Sequence, residues 1–574
     1  MNILGISCFY HDSAACLFKD GKIAAAAQEE RFNRRKNYPG FPIQAINYCL
    51  QSADISIYDV DYIGFYEKPY LKFSRVVTNH LLSWPFSLKN FLDVMPHWLE
   101  DRLIMPAVFQ RELGFKGKTI FIKHHLAHAA GSFLVSPFEE AAILTADGVG
   151  EWTTTSFGSG TGSAIKIIKE INYPDSLGLL YTAVTTYLGF EALEGEGKVM
   201  GLAGYGKPAY LDKFRKMADV KPDGSFKLDQ RFFGFFNEGS RMYTRRFLKL
   251  FGEERIPEGK IDQRHCDIAA SLQRFIEDTL IKTANTLHKE IGSSNLCLAG
   301  GLFLNCVANH KILEETPFKK VFIQPAAGDS GGALGVAAYI NNAVCGNKRE
   351  YVMYDAGLGP EYDLAGIKRI LARRGLVFKE LDYPELAKYA ARNIARDNIV
   401  GWFQGKAEFG PRALGNRSIL ANPRNPDMKD ILNSRVKNRE SFRPYAPAVL
   451  EEKAGEYFFL RDQSPFMLLA PQVREDKIKL IPAVTHVDGT ARVQTVNKDV
   501  NPKFWQLIKE FEIITGIPVL INTSFNLRGE PIVNSPEDAL DAFLRTNMDC
   551  LVLENIVVEK TGQPSAPDKC YANE

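Results

Sequence analysis

Cysteine is sparse and unpatterned: nine in 574 residues, scattered from Cys8 to Cys570, with no C-x-x-C pair. That excludes a zinc knuckle, and an odd, scattered set makes no disulfide framework, so the sequence reads as a protein of the reducing cytoplasm. An excess of charge of either sign is missing too, with 70 basic against 68 acidic residues and a formal net charge of +2. No global field is therefore expected for nucleic acid or an anionic membrane surface. No uninterrupted apolar run is long enough to cross a bilayer. The opening "MNILGISCFYHDSAACLF" lacks the basic stretch of a signal peptide and carries His11 and Asp12. Low-complexity tracts and short-period repeats are absent. What is present, 45% apolar and 24% charged residues, is the composition of a globular protein. The length exceeds one hydrophobic core, so at least two domains are expected.

"MNILGISCF" and "SAACLFKDGKIAAAAQEERF" read as two or three short strands, with "KDGK" supplying a tight hairpin turn. "EEAAILTADGVGEWTTTSFGSGTGSAIKIIKEI" repeats that plan, again ending a strand on an acidic residue and a glycine, Asp147 and Gly148. Two copies of strand, polar tip, hairpin and helix predict a duplicated α/β domain with facing halves, as in actin and the sugar kinases. Farther on, "CDIAASLQRFIEDTLIKTANTLHKEI" is a long amphipathic helix, followed by strand "LCLAG" and helix "LFLNCVANHKI". "VFIQPAAGDSGGALGVAAYI" adds a strand, a loop bearing Asp329 and a small-residue helix. Periodicity is then lost, which places a boundary near 345–360 and domains at 1–350 and 351–574. The second domain is expected to hold a helix at "LAGIKRILARRG", a βα unit around "ELAKYAARNIARDNIVGWFQG" and a strand at "IPVLINTSF".

In "FIKHHLAHAAGSF", His124 and His128 are four apart and share one face of a helix, a spacing that offers two imidazoles to one metal ion. His125 points elsewhere. A capped or surface histidine pair is the competing reading. Asp147, at the end of an expected strand, and Asp329, in a loop whose glycines leave its carboxylate uncrowded, add two carboxylates, and that mixed N/O set suits Fe(II), Mn or Zn. Either aspartate could instead serve a turn. "EALEGEGKVMGLAGYGKP" interleaves glycines with Glu194, Glu196 and Lys198 and reads as a loop that brings backbone and one positive charge close to a ligand, or as a plain surface loop.

Residues 406–443 hold nine basic against four acidic residues. Arg412, Arg417 and Arg443 sit among glycine, proline and aromatics ("FGPRALGNR", "SFRPYAP") rather than on a polar helical stripe, a setting for bidentate recognition of phosphate or carboxylate. The run lacks the basic and aromatic interleaving of a nucleic-acid platform, which favours a small phosphorylated substrate. "THVDGTARVQTV" places His486, Asp488, Arg492 and Gln494 around a glycine turn, and "INTSFNLRGEPIV" puts Asn522, Thr523, Ser524, Asn526 and Glu530 after an apolar strand, where an α/β domain binds ligands.

As an ordered set these motifs, with "EERF…RRK", "DGVGEW", "GGLFLNCVAN" and "GDSGGALG", resemble the NodU/CmcH-type O-carbamoyltransferases over nearly the whole chain. The resemblance implies an actin-like (ribonuclease-H-like) first domain similar to the threonylcarbamoyl-transferring enzyme of tRNA modification, and a YrdC-like α/β second domain that forms carbamoyl-adenylate. It implies carbamoyl phosphate and ATP, with Mg, as substrates, and transfer of the carbamoyl group to a hydroxyl of a small natural-product or sugar acceptor. Arg412, Lys437, Arg443, Arg492 and Asn522 would hold carbamoyl phosphate and the ATP-derived phosphate. His124, His128, Asp147 and Asp329 would bind iron(II), and Lys198, Asn305 and Asn309 would line the nucleotide cleft of the first domain. His11, oriented by Asp12, is the expected base for the acceptor hydroxyl. The acceptor site is expected to be shaped by loops in residues 68–103. Two alternatives stand beside this reading: a tRNA threonylcarbamoyl-type transferase, against which the near-neutral charge speaks, and an actin-like ATPase or sensor.

Overall fold

Asp20 and Gly21, both at positive φ (50° and 79°), close the tight turn between β2 (Ala14–Lys19) and β3 (Lys22–Gln28). With β1 (Asn2–Ser7) these strands form an antiparallel meander, and β4 (Tyr62–Phe65) and β5 (Lys118–Phe121) add parallel strands beside β1, giving the order β3-β2-β1-β4-β5. The same wiring recurs. β6 (Glu140–Ala146), β7 (Thr153–Thr161) and β8 (Ala164–Asn172) form a meander; after a small hairpin of β9 (Ala218–Val220) and β10 (Phe226–Leu228), the strands β11 (Asn295–Ala299) and β12 (Lys320–Ile323) run parallel beside β6. The order β12-β11-β6-β7-β8 matches the first sheet strand for strand, so the duplication expected from the hairpins is present and the fold is the actin-like one. The computed structural model describes residues 1–85, 87–236 and 241–561. The chain divides into two units, one of Met1–Tyr354 with Leu468–Pro471, the other of Asp355–Met467 with the chain from Gln472 onward.

Each fifth strand feeds a buried helix made mostly of small residues. His124–Phe133 follows β5 and Ser330–Tyr339 follows β12, and the two pack on each other. Their approach is closer than any side chain allows: a Cβ on Gly335 would stand 1.9 Å from the Ala127 carbonyl oxygen. Small residues at a crossing let backbones meet where larger ones would hold them apart.

Two expectations need correction. The glycine-rich stretch after residue 191 is not a loop throughout, because Glu196–Ala203 is helical. Val199, Leu202 and Ala203 bury one face of it, and Glu196 lies in the first turn, where a carboxylate favours the helix dipole; the many glycines masked that stripe. Residues 68–103 likewise are not loops but chiefly two helices, Pro69–Leu82 and Leu88–Glu100, the first with proline at a starting position that needs no N–H donor.

The second unit is built on a mixed eight-stranded sheet. Its strands are β13 (Lys379–Glu380), β14 (Val400–Phe403), β15 (Arg417–Ala421), β16 (Ala446–Leu450), β17 (Gln494–Val496), β18 (Val519–Ser524), β19 (Cys550–Leu553) and β20 (Ile556–Glu559), in the order β13-β20-β19-β14-β15-β18-β16-β17. Helices Leu364–Arg373 and Tyr383–Ala395 stand where the apolar periodicity puts them, each started by an aspartate side chain that accepts a backbone N–H. Trp402, Phe403, Leu420, Ile521 and Phe543 are among the buried side chains of its core.

Gly335→Ala is expected to destabilise the first unit by about 3 kcal/mol in denaturant unfolding, because backbone must move to admit the methyl group. Gly197→Ala, where nothing lies within 4 Å of the added Cβ, is expected to gain about 0.5–1 kcal/mol from helix propensity. Equal midpoints for Gly335→Ala and the parent would refute the close crossing.

Candidate functional site

Four side chains from three segments converge in the first unit. His124 and His128 lie one turn apart on the helix after β5, Asp147 directly follows β6, and Asp329 directly precedes the helix after β12. His128 Nε2 lies 3.0 Å from His124 Nε2 and 2.8 Å from Asp147 Oδ2. His124 Nε2 is 3.5 Å from both Asp147 Oδ2 and Asp329 Oδ1, and His128 Nε2 is 3.7 Å from Asp329 Oδ1. One donor atom from each residue falls within 4.8 Å of all the others. All four side chains are nearly excluded from water, and Asp329 Oδ2 is a buried oxygen with no hydrogen-bond partner.

His128 and Asp147 bond one another, but the two imidazole nitrogens face each other and Asp329 Oδ2 has no hydrogen-bond partner, an arrangement that a cation between the four groups would satisfy. The donor set and spacing fit a metal ion. Burial raises the Asp147 carboxyl, but hydrogen bonds from His124 and His128 outweigh it and hold the group well below the usual carboxylate range. Burial lowers His128, but Asp147 and Asp329 overcome it and lift the imidazole to about 9. His125 stays outside the ligand group, its Nδ1 2.6 Å from the Thr145 hydroxyl.

His11 sits beside this cluster. The β1–β2 connection carries it with Nδ1 3.0 Å from Asp12 Oδ2 and Nε2 3.7 Å from Asp329 Oδ2. Asp12 has φ of 54°, a left-handed backbone that turns its carboxylate back onto the imidazole. Burial opposes the imidazolium, but the charges of Asp329 and Asp12 prevail and raise His11 to about 9.

Glu151 is the residue that sequence reasoning passed over. Its carboxylate accepts the backbone N–H of His124 at 3.0 Å and of Lys68 at 2.8 Å, so one buried group caps the helix carrying the histidines and anchors the start of Pro69–Leu82. Gly150 gives His124 room, since a Cβ there would lie 2.9 Å from the His124 Cβ. Elsewhere in the unit, Asn305 caps helix Cys306–Glu315 through Ala308 N and exchanges hydrogen bonds with Gln273. Asn309 donates to the Phe303 and Leu468 carbonyls, and Lys198 sits half-buried with its ammonium 5.6 Å above the Phe190 ring.

The second unit gathers basic groups. Burial and the neighbouring charges of Arg439 and Arg492 lower Arg443 to about 10. Burial, with Arg492 and Lys429 nearby, lowers His486 to about 4, so this histidine is neutral at pH 7. The Thr490 hydroxyl donates to Asp488, and His486 Nδ1 lies 3.1 Å from the same Thr490 oxygen. Such a concentration of positive potential favours an anion. Glu408 organises the loop that presents Arg412: one carboxylate oxygen accepts the amides of Leu414, Asn416 and Arg417. Asn522 ties β18 to that loop through the Ala413 carbonyl and to Gln494.

Not every expected residue joins the cluster. Lys437 donates to Ser524 and Asn526 and so fixes the turn at the end of β18, which also carries Thr523. Arg417 faces the core: it lies 3.5 Å over the Phe403 ring and donates to the carbonyls of Gln404, Asn416 and Pro360.

Glu151→Gln is expected to weaken metal binding about tenfold in a competition titration, since second-layer partners set ligand orientation; unchanged affinity would remove its positioning role. For His486 the folded value lies below the unfolded 6.5, so on acidification the unfolded chain takes up a proton that the folded chain refuses. Stability is therefore lost as pH falls from about 6.5 to about 4. Between pH 7 and pH 5 the parent should lose about 2 kcal/mol more than His486→Gln; parallel pH profiles would contradict the burial argument.

Sequence comparison places this geometry among known proteins. Residues 2–338 match the carbamoyltransferase N-terminus and residues 391–560 the carbamoyltransferase C-terminus. An uncharacterized protein of Synechocystis, sll1178, is 47% identical over 98% of this chain and 97% of its own length. Nodulation protein NolNO of Sinorhizobium fredii is 38% identical over 96% of this chain and 79% of its own. Nodulation protein NolO of Bradyrhizobium diazoefficiens is 38% identical over 76% of this chain and 79% of its own. With matches across both units, the chain belongs to the carbamoyltransferase family and is a carbamoyltransferase.

Proposed function

We propose that the protein makes carbamoyl-adenylate from carbamoyl phosphate and ATP in its second, YrdC-like unit and carbamoylates a hydroxyl of a small natural-product or sugar acceptor in its first. The observation that carries the reading is the dry cluster of His124, His128, Asp147 and Asp329 with His11 alongside. In the second unit, water releases phosphate from carbamoyl phosphate, the resulting carbamate oxygen attacks the α-phosphorus of ATP, and pyrophosphate leaves. Arg412, Arg443 and Arg492 offset the negative charge that accumulates as the mixed anhydride forms.

In the first unit the acceptor oxygen attacks the carbamoyl carbon and AMP leaves, while His11 Nε2 takes the hydroxyl proton with Asp12 holding Nδ1. A divalent ion held by His124, His128, Asp147 and Asp329, iron(II) by the family resemblance, would supply Lewis acidity and offset the Asp329 charge that keeps His11 protonated. Lys198, Asn305 and Asn309 are assigned to the nucleotide side of the cleft.

The test is product analysis of Fe(II)-loaded protein given ATP with and without carbamoyl phosphate. AMP and pyrophosphate should form only with carbamoyl phosphate, and Arg443→Ala should reduce their rate about 100-fold, as loss of a transition-state charge partner does. ADP formed without carbamoyl phosphate would overturn the reading in favour of an actin-like ATPase.

A further inference from the structure

The helices Pro69–Leu82 and Leu88–Glu100 carry their polarity reversed. The first turns polar groups inward: Lys72, Arg75, Asn79 and His80 are all buried, with Lys72 paired to Glu67 and Arg75 donating to the Glu151 carbonyl. Its apolar residues point out, with Tyr70 72% and Leu81 70% exposed. On the second helix Leu92 and Leu99 are 61% and 60% exposed, and Leu88 is exposed too. A surface helix ordinarily lays its apolar stripe on the core. An apolar stripe turned outward instead marks a surface that binds another molecule.

The two stripes form one face. The Phe73 ring lies 5.5 Å from Trp98 and the His80 ring 5.3 Å from Phe91, so the helices run antiparallel side by side. Counted round each helix from those contacts at about 3.6 residues per turn, Tyr70, Val77 and Leu81 come to the same outer side as Leu88, Leu92, Met95 and Leu99. The second set recurs at four, three and four residues, the spacing of a helix-packing seam. Allowing for the half-buried Val77 and Met95, the face exposes roughly 700 Å2, close to the ~800 Å2 that each partner gives to a standard interface.

Charge selects the occupant. Lys89 near one end of Leu88–Glu100 and Glu100 at the other are both exposed and flank the seam on the side away from Pro69–Leu82. Laid antiparallel on its own copy, this helix brings Lys89 to Glu100 twice, as a two-fold interface does. Asp93 and Glu100 on the same flank oppose an anionic bilayer.

We infer that the protein forms a two-fold symmetric dimer through this hairpin, the two copies packing face to face as a four-helix bundle. The inference is independent of the reaction. Glu151 accepts the amides of both Lys68, where the hairpin starts, and His124, so the bundle is braced against the helix that carries the histidine pair.

Sedimentation velocity of the full chain tests it. At micromolar concentration the parent should sediment with the mass of two chains. Leu92→Glu, a change at an exposed position whose folding is checked by circular dichroism, should raise the dissociation constant about 100-fold. Lys89→Glu should raise it about fivefold, and Glu100→Lys in the same chain should restore it. A monomeric parent, a dimer indifferent to Leu92→Glu, or a charge reversal that Glu100→Lys leaves unrepaired would overturn the inference. A monomeric parent that co-sediments with phosphatidylglycerol vesicles would overturn it in favour of a membrane surface.

Discussion

Everything in the first unit hangs on a backbone contact. The helices after β5 and β12 meet where Gly335 faces the Ala127 carbonyl, and the second helix also presses on β1, where a Cβ at Gly5 would lie 1.9 Å from the Ala333 carbonyl oxygen. Close packing at both points brings the start of each helix to the same place. His124 and His128 come from one half of the duplication and Asp329 from the other, while the two equivalent hairpin tips supply His11 with Asp12, and Asp147. The duplication thus supplies a site from two unlike versions of one scaffold, imidazole-rich on one side and carboxylate-rich on the other.

Electrostatics differ sharply between the units. In the first, buried carboxylates raise neighbouring imidazoles, as at His11 and His128. In the second, burial and neighbouring cations depress Arg443 and His486. The first arrangement wants a cation and the second an anion. The near-zero net charge of the chain conceals both.

Much of this was legible from residues. The paired hairpins revealed the duplication, the four-residue spacing of His124 and His128 set them on one face, and glycine-flanked Asp147 and Asp329 marked a strand end and the loop before a helix. Carboxylates that organise backbone were not legible. Glu151 caps a helix that begins 27 residues earlier, and Glu408 gathers three amides of its own loop; neither bond leaves a periodic trace. Helix Glu196–Ala203 was hidden by its glycines. Arg417 looked like its basic neighbours, yet it begins β15, whose residues are all buried, and its guanidinium is drawn into the core.

X-ray absorption at the iron edge of the Fe(II)-loaded protein, with the metal-to-chain ratio measured on the same sample, tests the central claim most directly. The account predicts one ion per chain in a shell of nitrogen and oxygen that includes two imidazoles, lost together in Asp329→Asn and His128→Asn. A sulfur ligand, or full loading that survives both substitutions, would contradict it.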